Sequence, residues 1–408
     1  MTRRVVITGC GGLTALGHDW GSIREQMRAH QSGIKHMAQW DEFPEMNTRL
    51  GAPVANFDLP AHYNRKTMRS MGLVAQYATY ASELALDDAG LLNNTLLKDA
   101  NTGVAYGSSG GSAAPIAAFG RMLDTHSMKG ITSNSYVQMM GHTTAVNIGL
   151  FFKLTGRIIP TSSACTSGSQ GIGYAYESIC SGNQDIMIAG GAEEVSAVAA
   201  AVFDTLFATS TKNDAPQTTP QPFDRDRDGL VIGGGATSLI LEDLEHAQAR
   251  GARIYAEVLG YGTNSDGTHI TQPNAATMAQ AMQQALTNAK LEPDAIDYVS
   301  AHGTATDRGD IAETQATQQV LGKNVPISSM KSYFGHTLGA CGALESWLAI
   351  EMMRDGWFAP TLNLNNLDPE CGELDYIMGD GREIEANIIM NNNFAFGGIN
   401  TSLIFKRW

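Results

Sequence analysis

Residues 160–178 read PTSSACTSGSQGIGYAYES, a cluster of small hydroxyl side chains around one cysteine, followed by a regular mixture of Gly, Ala, Ile and Tyr. The apolar pair Ile158 and Ile159 precedes them, so the pattern predicts a strand, a tight elbow and a buried helix. Cys165 would lie at the start of that helix, where free amides and the helix dipole favour a thiolate and can bind an oxyanion. A buried and inert cysteine is the alternative, because free cysteine is commonly a core residue.

The composition limits the classes of protein to consider. Hydrophobic residues make up 43% and charged residues 17% of the 408 residues, as in an ordinary globular protein with two or three domain-sized units. The net charge of -14 argues against nucleic acid as a main partner. The five cysteines form no CxxC pair, which argues against a disulfide framework or zinc site and favours a reducing cytoplasm. No apolar run approaches the roughly 18 residues of a membrane span.

Strands and helices alternate in two similar runs. An apolar segment at residues 5–8 is followed by GCGG, and one at 254–259 is followed by GYG. This repetition predicts an α/β fold with two related halves, 1–250 and 251–408, packed as one body. We interpret GCGG as a tight strand-to-helix connection, because its glycine spacing does not match the dinucleotide-binding motif.

A helix is predicted over residues 65–92, with the basic sequence RKTMR in its first turn and an Ala-rich amphipathic face after it. Positive charge at a helix start opposes the helix dipole. The basic residues Arg65, Lys66 and Arg69 therefore indicate a purpose other than stability. A solvated helix face is the alternative.

Three further stretches place reactive side chains after apolar strands, where α/β folds put their active sites. They are VSAHGTATDRGD with His302, SSMKSYFGHTLGACG with Lys331 and His336, and NNNFAFGGINTS. A metal site is disfavoured, because neither histidine has a ligand spacing to a cysteine. A Cys-His hydrolase is a further interpretation, although no Asn or Asp is obvious as its third member.

Together, TSSACTSG, AHGTATDRGD, KSYFGHTLGACG and FAFGGIN resemble the elongating β-ketoacyl-acyl-carrier-protein synthases of types I and II, in the thiolase superfamily. The resemblance covers essentially the whole chain. It implies a thiolase fold, in which two related βαβαβαββ halves pack as a five-layered αβαβα body. It also implies decarboxylative Claisen condensation of an acyl chain with malonyl-acyl-carrier protein in fatty acid elongation, without metal or cofactor. The alternative is the same chemistry in aryl polyene or type II polyketide assembly.

The resemblance also implies roles for individual residues. Cys165 matches the nucleophile, and His302 and His336 match the pair that promotes decarboxylation and stabilises the enolate. Lys331 matches the catalytic lysine that orients and polarises this centre, and Glu345 and Asp310 match the groups that support it. The oxyanion hole consists of the backbone amides of Cys165 and Phe396. Degradative thiolases lack the first histidine, and chain-length-factor subunits lack the nucleophile, so both are disfavoured.

Binding roles follow from the same resemblance. The pantetheine arm would contact Thr304, Thr306 and Thr271, and the gate would comprise Phe396, Asp266 and His269. The acyl pocket would comprise Gly110, Tyr136, Met139 and Met140. The carrier protein would dock on Arg65, Lys66, Arg69 and Lys129.

Two features concern the gate and the acyl pocket. Ala395 and Ile399 replace a Gly and a Thr of the usual gate motif, and Ala395 is expected to restrict the gate backbone. Gly110 stands where type II synthases carry a bulkier Ile, which suggests a less obstructed acyl tunnel. The implied partners are acyl-carrier protein and a second copy of the chain, or a second synthase-like subunit.

Overall fold

The computed structural model describes residues 3–408. The helices are α1 (Trp20–Arg28), α2 (Leu73–Asp88), α3 (Ala113–Thr125), α4 (Ser133–Met139), α5 (Thr143–Phe152), α6 (Ser167–Cys180), α7 (Ala197–Asp204), α8 (Leu244–Ala249), α9 (Ala275–Ala289), α10 (Asp307–Leu321), α11 (Lys331–Phe334) and α12 (Cys341–Asp355). Within residues 3–408, no helix combines the length and the apolar composition needed to cross a bilayer.

The strands are β1 (Val5–Leu13), β2 (Lys35–His36), β3 (Leu50–Ala52), β4 (Thr102–Gly107), β5 (Ile158–Thr161), β6 (Ile186–Glu193), β7 (Ile232–Gly233), β8 (Gly235–Asp243), β9 (Ala256–Ser265), β10 (Tyr298–Ser300), β11 (Pro326–Ser328), β12 (Trp357–Phe358), β13 (Asp375–Tyr376), β14 (Arg382–Glu383), β15 (Ile388–Ala395) and β16 (Ile399–Arg407).

The main sheet contains the same five-strand arrangement twice. The first half has the order β5-β4-β6-β8-β1, and the second has β11-β10-β15-β16-β9. In both halves the first three strands are parallel and the last two are antiparallel to their neighbours. A short antiparallel pairing of β1 with β9 joins the halves. The predicted internal repeat is therefore confirmed, while the division between residues 250 and 251 stays a prediction.

Helices cover both halves of the sheet and also separate them. Helices α2 and α5 pack on the first half, and α9, with α10 beside it, packs on the second. Helix α6 packs on β4 and β6, α12 packs on β8 and β15, and α6 and α12 pack against each other. The result is the five-layered αβαβα arrangement that the sequence predicted.

The GCGG segment is part of a strand, so the predicted strand-to-helix connection is wrong. A Cβ atom at Gly9 would lie 2.4 Å from the carbonyl oxygen of Ala85 in α2. In the second half, a Cβ atom at Gly260 would lie 2.4 Å from the carbonyl oxygen of Ala285 in α9. These glycines let each helix approach its strand closely.

Helix α2 begins at Leu73 rather than at Arg65, so the basic residues lie outside it. Gly72, immediately before the helix, has extended backbone with φ -74 and ψ 176. Residues 65–70 form turns instead, and the side chain of Asn64 accepts the backbone amide two residues later at 3.0 Å. The argument from the helix dipole therefore does not apply to these basic side chains.

Candidate active site

Cys165 lies at a tight elbow between β5 and α6, as the sequence predicted. A single 3-10 turn, Ala164–Thr166, separates the two elements. Ala164 adopts the left-handed conformation with φ 51. The hydroxyl of Thr161 donates to the carbonyl oxygen of Ser167 at 2.8 Å and holds the elbow closed. The side chain of Cys165 is almost completely buried at this bend.

His336 contacts the sulfur of Cys165 directly. Its Nε2 lies 3.1 Å from Cys165 Sγ. The backbone N–H of Leu338, itself left-handed with φ 46, donates to His336 Nδ1 at 3.2 Å. Because Nδ1 accepts this hydrogen bond, the neutral imidazole carries its proton on Nε2 and directs it to the sulfur.

His302 faces the same centre, with its ring centroid 5.1 Å from that of His336. The ammonium of Lys331 donates to His302 Nδ1 at 3.1 Å, which leaves the proton of the neutral ring on Nε2. Burial, together with the charge of Lys331, lowers the pKa of both histidines well below the usual range. Both rings are therefore neutral N–H donors near pH 7.

A buried ion pair supports His302 from behind. Lys331 Nζ donates to Glu345 Oε1, and Asn393 Nδ2 donates to Glu345 Oε2 at 2.7 Å. Burial lowers the pKa of Lys331, but the Glu345 carboxylate, with smaller contributions from Cys341 and Glu313, raises it, and the net shift is upward. The sequence analysis missed Asn393. Asn393 could have been recognised from the NNN run, because it lies two positions after Asn391 and residues two apart in a strand share one face.

The Cys165 thiol does not show the lowered pKa expected at a helix start. Burial raises the pKa of this thiol to about 11. The charge of Lys331 and hydrogen bonds from the backbone amides of Phe396 and Cys165 lower it, but they do not overcome burial. These two amides are the ones predicted to form the oxyanion hole, and both approach the sulfur.

Two buried carboxylates fix the loop that carries His302. Glu313 accepts the backbone amides of His302 and Gly303, both at 2.6 Å, and Asp310 accepts that of Thr304 at 3.0 Å. Burial raises the pKa of Glu313 to about 8 and that of Asp310 to about 6. Asp310 therefore supports the loop that carries His302. Glu313 was missed, although its position three residues after Asp310 on a helix was a usable signal.

Two cavities meet at Cys165. The larger, about 470 Å³, is lined by the three predicted pantetheine-binding threonines and by Asp266 and His269. The smaller, about 260 Å³, is lined by Gly110 and by apolar side chains of α3 and α7. Cys165, Phe203 and Phe396 line both cavities. Phe396, the predicted gate, therefore lies where the cavities meet. Phe203, which was not predicted, packs against Phe396, with the two ring centroids 5.0 Å apart.

Models of the N- and C-terminal domains of β-ketoacyl synthases match most of the chain. The N-terminal domain model matches residues 2–247, and the C-terminal domain model matches residues 255–365. The chain belongs to the β-ketoacyl synthase family.

Individual relatives agree with this assignment. The synthase is 39% identical to 3-oxoacyl-[acyl-carrier-protein] synthase 2 of Vibrio cholerae, over 99% of both chains. A crystal structure of a β-ketoacyl synthase from Burkholderia phymatum is 62% identical over 100% of both chains, with a TM-score of 0.98. A type II polyketide ketosynthase, solved with its acyl-carrier protein and bound to the hexaketide, is 29% identical over 100% of both chains, with a TM-score of 0.89.

The loop of the synthase that carries Phe396, the predicted gate, is hydrogen-bonded to the segment that holds Asp266 and Ile270. The amide of Asp266 donates to Gly398 O at 2.8 Å, and the amide of Gly397 donates to Ile270 O at 2.8 Å. Ala395 ends strand β15 and pairs with Ile399. Because any residue adopts strand backbone, the expected restriction by Ala395 does not arise in this conformation.

Three predicted acyl-pocket residues of the synthase do not reach the pocket within one chain. Tyr136, Met139 and Met140 lie in and just after α4, and they line neither of the two cavities that meet at Cys165. Tyr136 is exposed. Among the predicted pocket residues, Gly110 alone lines the smaller cavity of the described chain.

The predicted docking residues of the synthase are free cations at the surface. Arg65, Lys66, Arg69 and Lys129 are exposed, and no carboxylate within residues 3–408 lies within 4.0 Å of their charged groups. Such unpaired positive charge suits an acidic partner.

Two overlapping residue sets of the synthase could offer metal ligands. The first set is Cys165, His302 and His336, and the second set is His302, Cys341 and Glu345. In each set the ligand atoms lie within 4.8 Å of one another. In the second set, the ammonium of Lys331 already contacts both His302 and Glu345. This protein cation competes with a metal for the same groups. That catalysis needs no metal or cofactor stays a prediction.

Proposed function

We propose that this β-ketoacyl synthase, an enzyme of the acyltransferase class, condenses an acyl chain held on Cys165 with malonyl-acyl-carrier protein. The product is 3-oxoacyl-acyl-carrier protein, in fatty acid elongation. The observation that carries the proposal is the contact of Cys165 Sγ with His336 Nε2 at 3.1 Å, beside a second neutral imidazole and at the meeting point of two cavities. The name of the Vibrio cholerae relative supports it.

The first step is transfer of the acyl group to the cysteine. The sulfur of Cys165 attacks the thioester carbonyl, the bond to the pantetheine sulfur breaks, and the thiol proton ends on the departing sulfur. The amides of Cys165 and Phe396 donate to the oxyanion formed on the way. Because burial raises the pKa of this thiol to about 11, the thiol is protonated near pH 7. Ionisation is therefore coupled to arrival of the thioester, and Lys331 and the Nε2–H of His336 stabilise the charge.

The second step forms the carbon nucleophile. Carbon dioxide leaves the malonyl group, and its bonding electron pair becomes an enolate whose charge lies on the thioester oxygen. The Nε2–H groups of His302 and His336 donate to that oxygen. Because both rings are neutral, they stabilise the charge without giving up a proton.

The third step forms the carbon–carbon bond. The enolate carbon attacks the acyl carbonyl on Cys165, the carbon–sulfur bond breaks, and the released thiolate takes one proton from solvent. The Lys331–Glu345 pair and Asn393 hold His302 in place throughout.

The two cavities provide for the two substrates. Thr304 and Thr306, whose hydroxyl oxygens lie 2.9 Å apart, would hold the pantetheine arm together with Thr271. The smaller cavity would take the acyl chain. Asp266 and His269, which line the larger cavity together with Phe396, would form the second side of the gate.

A second subunit would complete the acyl pocket. Tyr136, Met139 and Met140 would line the pocket of the neighbouring subunit, in a homodimer or in a heterodimer with a second synthase-like chain. Strand β5 ends the main sheet and leaves one edge free for such a contact. We place the protein in the cytoplasm, because its five cysteines are free.

The carrier protein would dock on Arg65, Lys66, Arg69 and Lys129, whose unpaired charges suit an acidic partner. The polyketide relative was solved with its acyl-carrier protein, which supports a carrier protein as the partner here. The polyketide relative also supports the alternative function, in which the acyl chain belongs to a secondary pathway.

Intact-mass analysis tests the proposal. The purified protein is incubated with acyl-carrier proteins bearing saturated, conjugated or aryl chains, and malonyl-carrier protein is then added for product analysis. Cys165→Ala should abolish labelling. Cys341→Ala is the matched control, because Cys341 is also buried and its Sγ donates to Cys165 O at 3.2 Å; it should be labelled like the wild type.

Extension of saturated chains would support fatty acid elongation. Labelling by conjugated or aryl chains only would instead favour the secondary-pathway alternative. Labelling that persists in Cys165→Ala, or that never occurs, would refute the proposed chemistry.

A further inference from the structure

A buried carboxylate lines the smaller cavity and takes no part in the three proposed steps. Glu193 ends strand β6, and its side chain is buried. Within residues 3–408, no nitrogen of a Lys, Arg or His side chain lies within 4.0 Å of this carboxylate. Burial raises its pKa to about 7. A buried carboxylate without a cation destabilises a fold unless it accepts several hydrogen bonds.

Glu193 accepts hydrogen bonds from both halves of the repeated fold. From the first half, the amide of Ser109 donates to Oε2 at 2.7 Å, the hydroxyl of Ser109 donates to the same oxygen, and the hydroxyl of Ser108 donates to Oε1 at 3.1 Å. From the second half, the amide of Gly339 donates to Oε2 at 3.2 Å. The carboxylate therefore joins the segment that follows β4 to the 3-10 turn Leu338–Ala340.

The same 3-10 turn holds His336 in place. The amide of Leu338 donates to His336 Nδ1 at 3.2 Å, and this bond directs the Nε2 proton to the sulfur. Gly339 is the next residue, and a Cβ atom on it would lie 2.6 Å from Ser109 N and 2.9 Å from Glu193 Oε2. The lack of a side chain at this glycine lets the turn pack directly on the carboxylate and on the segment that the carboxylate holds.

The two joined segments also form part of the wall of the smaller cavity. Gly110, Gly111 and Leu338 all line it. The hydroxyl of Ser108, which donates to the carboxylate, also accepts the amide of Gly111 at 3.0 Å. An acyl chain in this cavity would therefore contact both of the segments that Glu193 joins.

We infer that Glu193 is a positioning residue, which holds the turn beside His336 to the wall of the smaller cavity. His336 is a donor in both acylation and decarboxylation, so this role rests on the proposed function and deepens it. The important property is the reach of the side chain, because one carboxylate must meet the amides of both Ser109 and Gly339. Burial raises the pKa of the Cys165 thiol and the charge of Glu193 adds to that rise, so the charge itself does not assist the nucleophile.

Two conservative variants separate reach from charge. Glu193→Asp keeps the carboxylate but is one methylene shorter, so it should lose the hydrogen bond to Gly339. Glu193→Gln keeps the length. Its carbonyl oxygen can replace Oε2, and its NH₂ group then faces the hydroxyl of Ser108, which can accept as well as donate. Both variants should fold, as checked by their melting temperatures, because neither adds volume and the loss of one methylene is a small loss of packing.

The first measurement observes the imidazole itself, by NMR of the free protein carrying isotope-labelled histidine. A His336→Asn variant identifies the signals of His336. In the wild type, Nδ1 should be unprotonated and Nε2 protonated. Glu193→Asp should shift these ring nitrogen signals toward a mixture of the two tautomers, whereas Glu193→Gln should leave them unchanged.

Glu194→Asp is the matched control for the NMR measurement. Glu194 is the next residue, lines the same cavity and accepts the amide of Ala113 at 2.7 Å. Within residues 3–408, no hydrogen bond joins its side chain to the turn Leu338–Ala340. The same shortening at this position should therefore leave the His336 signals at their wild-type values.

The second measurement is carbon dioxide release from malonyl-carrier protein, with enzyme acylated on Cys165. We expect the rate to fall about 10- to 100-fold in Glu193→Asp, since a donor displaced by about 1 Å can have an effect of this size. In Glu193→Gln the rate should stay within about threefold of the wild type, because the spacing is kept.

Several results would overturn the role of Glu193. Unmoved His336 signals in Glu193→Asp would do so, as would shifted signals with an unchanged rate. An equal loss of rate in Glu193→Asp and Glu193→Gln would assign the effect to charge instead of reach. A matching shift of the His336 signals in Glu194→Asp would assign it to general loosening of the cavity. Failure of any carrier protein to acylate the wild type would refute the proposed function, while the NMR signals of the free protein would still decide whether Glu193 positions His336.

Discussion

Glu345→Gln should both destabilise the synthase and shift its activity toward lower pH. Both oxygens of Glu345 face donors, Lys331 Nζ on one side and Asn393 Nδ2 on the other. A glutamine has the same shape, but its NH₂ group must meet one of these donors, and it supplies no negative charge. Removing one partner of a buried pair typically costs about 3 to 5 kcal/mol.

The size of the effect can be converted into a melting temperature. An unfolding entropy of about 2.1 cal/mol/K per residue gives about 1.2 °C per kcal/mol for a chain of this length. We therefore expect the melting temperature of Glu345→Gln to fall by about 3.5 to 6 °C. Glu351→Gln is the control on the same helix, because its partner Arg354 is 37% exposed and such pairs contribute about 1 kcal/mol or less.

The activity readout isolates the decarboxylation centre. Carbon dioxide release from malonyl-carrier protein is measured against pH with enzyme acylated on Cys165, in which the thiol no longer titrates. Glu345 is the largest of the groups that raise the pKa of Lys331 against burial, so its loss lets that pKa fall. The alkaline limb of the profile should move to lower pH. A melting temperature within 1 °C of the wild type, or an unmoved limb, would refute the reasoning.

Three further predictions follow from the site. His302→Ala should lower the decarboxylation rate, measured as carbon dioxide release, about 100- to 1,000-fold. Cys165 should still be acylated in this variant, as measured by intact mass. A parallel loss of decarboxylation and acylation would contradict the assigned role. Because the pKa of both histidines lies well below the usual range, neither ring should take up a proton between pH 8 and 6.5, as measured by NMR of the ring nitrogens, and protonation of either ring in this range would contradict their neutrality. Gly110→Ile should fold normally, because a Cβ atom there meets nothing within 4 Å, but it should occupy part of the smaller cavity and shorten the longest product found by mass spectrometry; an unchanged product length would place the acyl chain elsewhere.

The residues proposed to be catalytic could be selected from the sequence because each follows a strand within a short Gly-rich motif. Cys165, His302, Lys331 and His336 are far apart in the chain, yet the repeated topology brings them to one centre. Strand ends were harder to predict. Strand β1 continues through GCGG because its glycines are needed for contact with a helix that is distant in sequence.

Properties that depend on burial could not be predicted from local sequence. The position of Cys165 at a helix start pointed to a lowered thiol pKa, but the surrounding protein raises it. Asn393 and Phe203 were missed because their partners, His302, Glu345 and Phe396, are brought to them only by the folded chain.

The left-handed bends at Ala164 and Leu338 have a consequence for how this chemistry is distributed. Each bend opens a 3-10 turn that leads into one of the paired central helices, α6 and α12. The same backbone bend therefore occurs twice, before two helices that pack against each other. One bend positions a thiol and the other lies beside an imidazole. The side chain next to the bend, and not the bend itself, therefore determines the chemical role of each position.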